Sequence, residues 1–462
     1  MREKEFAKNT LIIVIGKILT QMLSFILLPL YTSVLSTEEY GVVDLVLTYV
    51  QLLLPIVTLM VEQAAFRYLI EINDKVQKMG IISSSLSVIL VICVIYLGII
   101  ILLSSSFKYY IFFMLLSASL ANWSLQIARG IRDTFLFTVG SLVMAIFTLC
   151  CNVILLVVLK QGIEGMLISS IIGNTACFIF MFLKLHLYEY INVNSVNMKA
   201  IKNLVNYSIP LIPNQLSFWL INFSDRLIVN FCLGDSANGI LAISHRFPSI
   251  YTTFFSMFLL SWQELLSLHY CDNDRDEFIT SMYNRMIQIF GALCILLMAV
   301  LPLVFPILVG KDFEQAYYTI PIYLYASLLN SVIGLLGAIY VANKKTTEMA
   351  KTSFICGVIN VLIHLGLIEF VGLYAAALST LFSYFFIVIY RIWDVRKYVL
   401  IRHNYFYYFI LSVTFLICTI IYFTKVPLIQ IVGFIIAILF ALFYNIDYLK
   451  KLKKIIEDKI NI

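Results

Sequence analysis

The chain has 462 residues, of which 61% are apolar and only 13% charged, with a mean hydropathy of +0.96. Water-soluble domains carry about 25% charged residues, so this composition excludes a soluble enzyme and points to a polytopic membrane protein. The net charge of +6 is more informative in its distribution than in its sum, and no nucleic-acid partner is inferred from it.

The first apolar run, 10–35, is long enough to cross a bilayer. It lacks the basic stretch, short core and small-residue cleavage site of a signal peptide, so it is expected to remain as a helix. Runs of spanning length follow at 39–65, 79–103, 109–128, 134–159 and 163–183, then at 204–233, 237–266, 283–308, 316–341, 352–369, 371–390, 406–423 and 428–446. The expected fold is therefore all-α, with about 14 transmembrane helices. An even number places both termini on one side. Lys108, Lys160, Lys311 and Lys425 are the four cations of the opposite side, and Lys17, Arg226 and Arg246 lie within spans. The remaining 25 of the 32 Lys and Arg share the side of the termini. By the positive-inside rule that side is the cytoplasm. The outer loops (36–38, 234–236, 425–426) leave no room for an extracytoplasmic catalytic domain, and the inner loops 184–203 and 267–282 are linker-sized. Nine cysteines lie mostly inside apolar runs without zinc-type spacing, as buried small residues do.

Two pairs of segments echo each other. Gln21-Met-Leu-Ser-Phe25 with Glu39-Tyr-Gly41 resembles Asn214-Gln-Leu-Ser-Phe218 with Ala237-Asn-Gly239. Asn152-Val-Ile-Leu with Gly162-Ile-Glu-Gly165 resembles Asn360-Val-Leu-Ile with Phe370-Val-Gly372. Matching odd spans to odd spans implies a parallel repeat about an axis along the membrane normal. The chain is thus read as an N-lobe (1–200, six spans), a C-lobe (201–400, six spans) and a C-terminal segment (401–462) of two spans and a basic cytoplasmic tail.

Polar residues inside these spans fall at helical spacing. In the second span, Asp44, Thr48, Gln51, Pro55, Thr58 and Glu62 are separated by 4, 3, 4, 3 and 4 residues. They share one helix face over about 27 Å, nearly the depth of the hydrocarbon. Lipid cannot solvate such a stripe, so it faces protein or water. The eighth span carries His245, Ser249, Thr252, Ser256 and Gln263 with Arg246 beside them; the first carries Thr10, Lys17, Gln21 and Ser24. In the seventh, Asn214, Gln215, Asn222, Asp225 and Arg226 share one arc, and Pro210 and Pro213 are expected to kink the span. One expectation is a water-filled cavity lined by spans 1, 2, 7 and 8; the alternative is polar bonding between packed helices.

Arg226 and Arg246 suit an anionic group, because guanidinium offers forked donors to phosphate oxygens. The other reading of Arg226 is a pair with Asp225 or with another helix. Lys17 either faces the cavity or snorkels to the interface. Asp44 and Glu62 are candidates to carry H⁺ or Na⁺, or to serve as structural hydrogen-bonding groups. Arg67 and Glu264 read as interfacial anchors, and His364 as a packing residue. No phosphate-cradling GxxxxGK[ST] motif and no nucleophile–base constellation occurs, so an enzyme with a cofactor is not expected.

The run Tyr207-Ser-Ile-Pro-Leu-Ile-Pro-Asn214, then Trp219, Asp225-Arg226, Gly234, Asn238-Gly239 and Trp262-Gln263, resembles the Wzx-type O-antigen and capsule repeat-unit flippases. These are the polysaccharide-transporter branch of the MOP superfamily. The resemblance implies two six-helix lobes and outward movement of undecaprenyl-diphosphate-linked oligosaccharide by alternating access across a bacterial inner membrane. On that reading Arg226, Arg246 and Lys17 would meet the diphosphate. Gln21, Gln51, Asn214, Gln215, Asn222, His245 and Trp219 would meet sugar, beside Asp225. A polymerase and chain-length proteins would be pathway partners. Position 242 is Ala where the first repeat has Asp44, so acidic roles need not be symmetric. The rival readings are a cation-coupled drug exporter of the same superfamily, a membrane polymerase or ligase of lipid-linked glycans, and a non-transporting scaffold.

Overall fold

A computed structural model describes residues 2–72, 74–102 and 107–446, the side chains of 2–11, 13, 24, 102, 214, 217, 218, 221, 222 and 346 excepted. The basic tail at 450–459 and the side chains of Thr10, Ser24, Asn214 and Asn222 lie outside the described residues. Every regular element among the described residues is a helix. In order they are α1 (Arg2–Ile26), α2 (Leu28–Val34), α3 (Thr37–Val57), α4 (Val61–Leu69), α5 (Lys75–Leu102), α6 (Lys108–Gly130) and α7 (Thr134–Asn152), which continues as a π-helical turn, Val153–Val158. Then come α8 (Gly162–Lys184), α9 (Met198–Ser208), α10 (Leu211–Leu233), α11 (Asp235–His269) and α12 (Arg275–Leu308). The last five are α13 (Ala316–Ala342), α14 (Thr346–Val371), α15 (Tyr374–Val395), α16 (Tyr405–Phe423) and α17 (Pro427–Tyr444). Among the described residues, twelve stretches are long and apolar enough to cross a membrane. The two long helices outside that set, α10 and α11, are the ones that hold Asp225, Arg226, His245 and Arg246. With them the helices correspond to the expected fourteen spans.

Four expected spans have different boundaries, each at an identifiable residue. The first is interrupted at Leu27, where Pro29 occupies the opening turn of α2 and supplies no N–H. The second is split between α3 and α4, with Leu59 (φ +47°) and Met60 (φ +54°) in the left-handed region. The seventh is two helices, because Pro210 caps α10 and α9 ends at Ser208; Pro210 therefore separates helices rather than kinking one. The twelfth continues to Val395 and so takes Arg391, counted above as a cytoplasmic-side loop cation, into a helix where it is 1% exposed.

The chain divides into two compact units at Gly239/Ile240. In the first, α6 packs against α3, α4, α5 and α8, while α7 packs against α1 and α8. Three consecutive serines of α5, buried and unremarked in the sequence, do separate jobs. Ser85 Oγ accepts the Trp123 indole N–H at 2.9 Å. Ser83 donates to Tyr190 O (3.0 Å) and accepts from Asn192 N (3.0 Å), and Ser84 accepts from Asn197 N (3.1 Å). Ser83 and Ser84 fasten the segment after α8 to α5 within the first unit. Lys75 adds an ion pair to Glu189 at 2.9 Å, which holds that carboxyl below the usual range. Asn152, at the π turn, donates to Tyr31 OH at 2.9 Å.

In the second unit α15 packs on α13 and α14, and α12 packs on α13, α16 and α17. Tyr317 and Tyr422 stack at 4.1 Å and each donates its hydroxyl to the other's carbonyl at 2.7 Å, which fastens α16 to α13. Asn360, the repeat counterpart of Asn152, donates to Thr380 Oγ1 at 3.1 Å, and its neighbour His364 is fully buried, as a packing residue would be. Arg391 donates to Thr352 Oγ1 (2.8 Å), Ser353 Oγ (3.0 Å), Met349 O (3.3 Å) and Ile333 O (2.9 Å) with no ion pair to a described carboxylate. Its planar fork serves α13 and α14 at once, which three donors on a lysine stem cannot do. Arg391→Met and Arg391→Lys are both expected to destabilise the purified protein by at least about 1–3 kcal/mol, the cost of one unmet buried polar group. A thermal unfolding series in detergent checks this.

Candidate substrate-binding site on helices α3 and α10

The site is built where α3 begins. Ser36 caps the helix by accepting from Glu39 N (3.1 Å), while Glu39 Oε2 accepts from Ser36 N (2.9 Å), a reciprocal capping box. Opposite it, α10 stops at Gly234, whose φ of +87° an L side chain rarely adopts, and α11 starts at once. The two helix starts then meet backbone to backbone. A Cβ on Gly41 would run into Asp235 O, and a Cβ on Gly239 would run into Thr37 O. The contact is reciprocal with one sequence offset, since 37 is to 235 as 41 is to 239. Tyr40-Gly41 and Asn238-Gly239, the dipeptides that echo each other in the sequence, are thus the pieces through which α3 and the start of α11 touch. Small residues permit such an approach between membrane helices. Thr37 Oγ1 and Ser236 Oγ lie 2.7 Å apart, and the buried Asn238 donates to Gly41 O at 2.9 Å.

One turn farther along α3, Asp44 Oδ2 accepts from Arg226 Nε of α10 at 2.7 Å, with side chains 13% and 11% exposed. The guanidinium also lies over the Phe223 ring at 5.1 Å. A further turn on, Trp219 of α10 is buried and donates its indole N–H to Thr48 O at 3.3 Å. Residues 37, 41, 44 and 48 therefore meet residues 236, 238, 226 and 219 as α3 runs past the start of α11 and then along α10. Two of the six stripe positions, Asp44 and Thr48, belong to a polar seam between helices. The expectation that the whole stripe lines water is corrected to that extent: Thr48 is 2% exposed and its hydroxyl bonds to Asp44 O of its own helix. Only Gln51 of the stripe is openly exposed, and beyond Val57 the helix break ends the common face.

The other sequence candidates are distributed as follows. Asp225 is 3% exposed, and Arg226 pairs with Asp44 of another helix. Gln215 is half-buried on α10; on α1, which packs against α7, Lys17 is exposed and Gln21 half-buried. His245 and Arg246 belong to the second unit, where the half-buried His245 ring lies 4.2 Å from that of Tyr323. The hydroxyls of Ser249, Thr252 and Ser256 bond to carbonyls of α11 itself (2.6, 3.1 and 2.8 Å), so this stripe is largely satisfied within its own helix. Glu62 is buried at the start of α4. The sequence reading passed over Thr37, Ser236 and the interlocking glycines as contacts; the repeated glycine dipeptides were their only trace.

A family model described as "Polysaccharide biosynthesis protein" matches residues 6–262, more than half of the chain. The chain belongs to the polysaccharide biosynthesis protein family. No curated protein sequence matches it. Among solved structures this family member is similar to "Lipid II flippase MurJ, inward closed conformation", with a TM-score of 0.70, 18% identity, and coverage of 94% of this chain and 99% of that one. It is also similar to an inward-facing multidrug resistance MATE family transporter of the MOP superfamily (TM-score 0.67, 12% identity, 83% and 98% coverage). A Vibrio cholerae MATE transporter, VcmN, matches with a TM-score of 0.52 at 12% identity, covering 85% of this chain and 97% of that one. At these identities the likeness establishes the fold alone: an all-helical, multi-pass membrane fold of the MurJ/MATE type.

Proposed function

We propose that this polysaccharide biosynthesis family member is a flippase that moves undecaprenyl-diphosphate-linked oligosaccharide repeat units, of O-antigen or capsule, to the outer face of a bacterial cytoplasmic membrane by alternating access, with both termini cytoplasmic. The observation that carries this reading is the largely buried ion pair between Arg226 of one helix and Asp44 of its neighbour. Charges within a membrane span are costly and mark substrate or ion pathways. A diphosphate is a stronger bidentate acceptor than one carboxylate, so it can compete with Asp44 for Arg226. Substrate binding would then loosen the seam that closes α3 on α10, and release would restore it. The side-chain amides and Trp219 supply hydrogen bonds and an aromatic face for sugars once the seam opens. An inside-negative potential favours outward travel of an uncompensated anion by about 2.3 kcal/mol per charge per 100 mV. A polymerase and chain-length proteins of the pathway would receive the product.

Cells lacking the chain are expected to accumulate the lipid-linked repeat unit in the inner leaflet, and Arg226→Ala with Arg246→Ala to fail to clear it at normal membrane levels. Normal clearance by that double variant would reject the assignment of the two arginines. The MATE-type fold keeps a drug exporter as the alternative. Restored drug resistance without any change in the lipid-linked pool would favour that exporter.

A further inference from the structure

Lys311 and Lys425, two of the four cations assigned from the sequence to the side opposite the termini, take no part in the site above. The second unit brings them to one place, the mouth of a cavity of about 500 Å³ between the end of α12, the start of α13 and the turn from α16 to α17. Volumes of about 300–1,000 Å³ are usual for small-ligand sites. Its apolar wall is Pro302, Leu303, Phe305 and Pro306 of α12, faced by Pro427 of α17. Proline has a fixed φ and no side-chain freedom to lose, so the three rings make a wall that is formed before anything enters. Ile307 and Leu428, next in sequence to Pro306 and Pro427, are 77% and 72% exposed. On spanning helices such bare apolar side chains face hydrocarbon, so the cavity lies beside lipid.

The polar groups of the lining are ordered by depth. At the mouth Lys425 adopts φ +52°, a strained setting, and its head is fixed: Nζ donates to Glu314 Oε1 at 2.7 Å and to Tyr318 OH at 2.6 Å. These bonds hold the Glu314 carboxyl below the usual carboxylate range and the ammonium above its own, so both stay charged. One of the three ammonium protons of Lys425 is left over. Lys311 is exposed and makes no ion pair or hydrogen bond with a described residue; Asp312, its neighbour, is not part of the lining. Because Lys425 and Glu314 cancel, the lining carries one uncompensated positive charge. One turn inward Gln430 is 7% exposed, and its Nε2 donates to Tyr317 OH (3.4 Å) and Tyr422 O (3.3 Å). Its Oε1 receives no donor among the described residues. At Pro302 and Leu303, about two turns from the end of α12, the wall is hydrocarbon.

We propose that this cavity binds one anionic glycerophospholipid with a hydroxyl-bearing headgroup, of the phosphatidylglycerol type. The phosphodiester meets Lys311 and the remaining proton of Lys425, a headgroup hydroxyl donates to Gln430 Oε1, and one acyl chain lies along the proline wall. The order of charge, amide and hydrocarbon in the lining is the order of groups in such a lipid. A choline headgroup fits less well, because it brings no net charge and no N–H or O–H donor. On the proposed topology the lipid belongs to the outer leaflet. Seated there, it ties α17 to α12 and α13.

The test uses delipidated full-length protein and no glycan, so failure of the transport reading leaves it unaffected. In native mass spectrometry with added dioleoyl phosphatidylglycerol, one lipid should stay bound after activation strips the others, and dioleoyl phosphatidylcholine should leave none. Lys311→Gln, at an exposed position, is expected to weaken that one binding event about fivefold, the upper range for one exposed ion pair. Leu303→Trp, which fills the apolar wall, should abolish it. Equal retention of the two lipids, or unchanged phosphatidylglycerol retention in Lys311→Gln, would overturn the proposal. So would displacement of the retained lipid by equimolar undecaprenyl phosphate, which would give the cavity to the transported lipid class. Should Leu303→Trp not fold, the Lys311→Gln comparison decides alone.

Discussion

Arg226→Gln is expected to lower glycan export by about tenfold or more at unchanged membrane abundance, and to do so by two routes at once. Removing one partner of a buried ion pair typically costs about 3–5 kcal/mol, because the other charge is left behind. Arg226 and Asp44 keep 11% and 13% of their side-chain surface, so part of that cost is relieved by solvent. The single variants separate the two routes. Asp44→Asn weakens the seam but leaves the cation, so its export defect should be smaller than that of Arg226→Gln and its affinity for a diphosphate lipid higher. The exchange Asp44→Arg with Arg226→Asp rebuilds an ion pair across the same two helices while moving the cation onto α3. If Arg226 served only to close the seam, the exchange would restore export. If Arg226 also meets phosphate, as proposed, export stays low although the protein regains its stability. Wild-type export by Arg226→Gln would eliminate both roles.

The helices were legible because hydropathy and span length constrain membrane proteins so strongly. The details that escaped were local breaks. Leu59 and Met60 carry no breaker signature; the left-handed turn there is tied by local bonds, Leu59 N to Ile56 O and Met60 N to Thr58 Oγ1, that neither residue type announces. Arg391 shows the same limit: an arginine near an apolar run's end reads as an interfacial cation, and only its fork of hydroxyl and carbonyl acceptors on α13 and α14 explains its burial. The site was half legible. Spacing placed Asp44 and Thr48 on one face, and the charge at Arg226 stood out. Their pairing was not legible, because periodicity assigns residues to a face without saying what covers it. Polar stripes bonded to another helix and stripes lining water have the same spacing. The repeat held the missing information, since Gly41 and Gly239 are equivalent positions whose backbones meet.

Oxidation of a Thr37→Cys/Ser236→Cys pair, in a Cys232→Ser background, is expected to give near-complete cross-linking and to reduce export to background, with recovery on reduction. The hydroxyl oxygens that the two sulfurs would replace are 2.7 Å apart, close to the S–S bond length of about 2.0 Å, so a small side-chain adjustment brings the sulfurs together. A covalent link there prevents the seam from opening, and under alternating access a seam that cannot open stalls the cycle. Gly41→Ala or Gly239→Ala should act in the opposite direction. The added Cβ meets a backbone oxygen that no rotamer change can move, so the helices must separate. Overpacking of this kind costs about 1–3 kcal/mol, which is roughly a 5- to 150-fold bias against the closed seam. Cross-linking in the glycine variants should slow accordingly while overall stability is reduced only modestly. Full export by the cross-linked protein would mean that the contact is a permanent joint. In that case neither Asp44 nor Arg226 could exchange its partner for a phosphate.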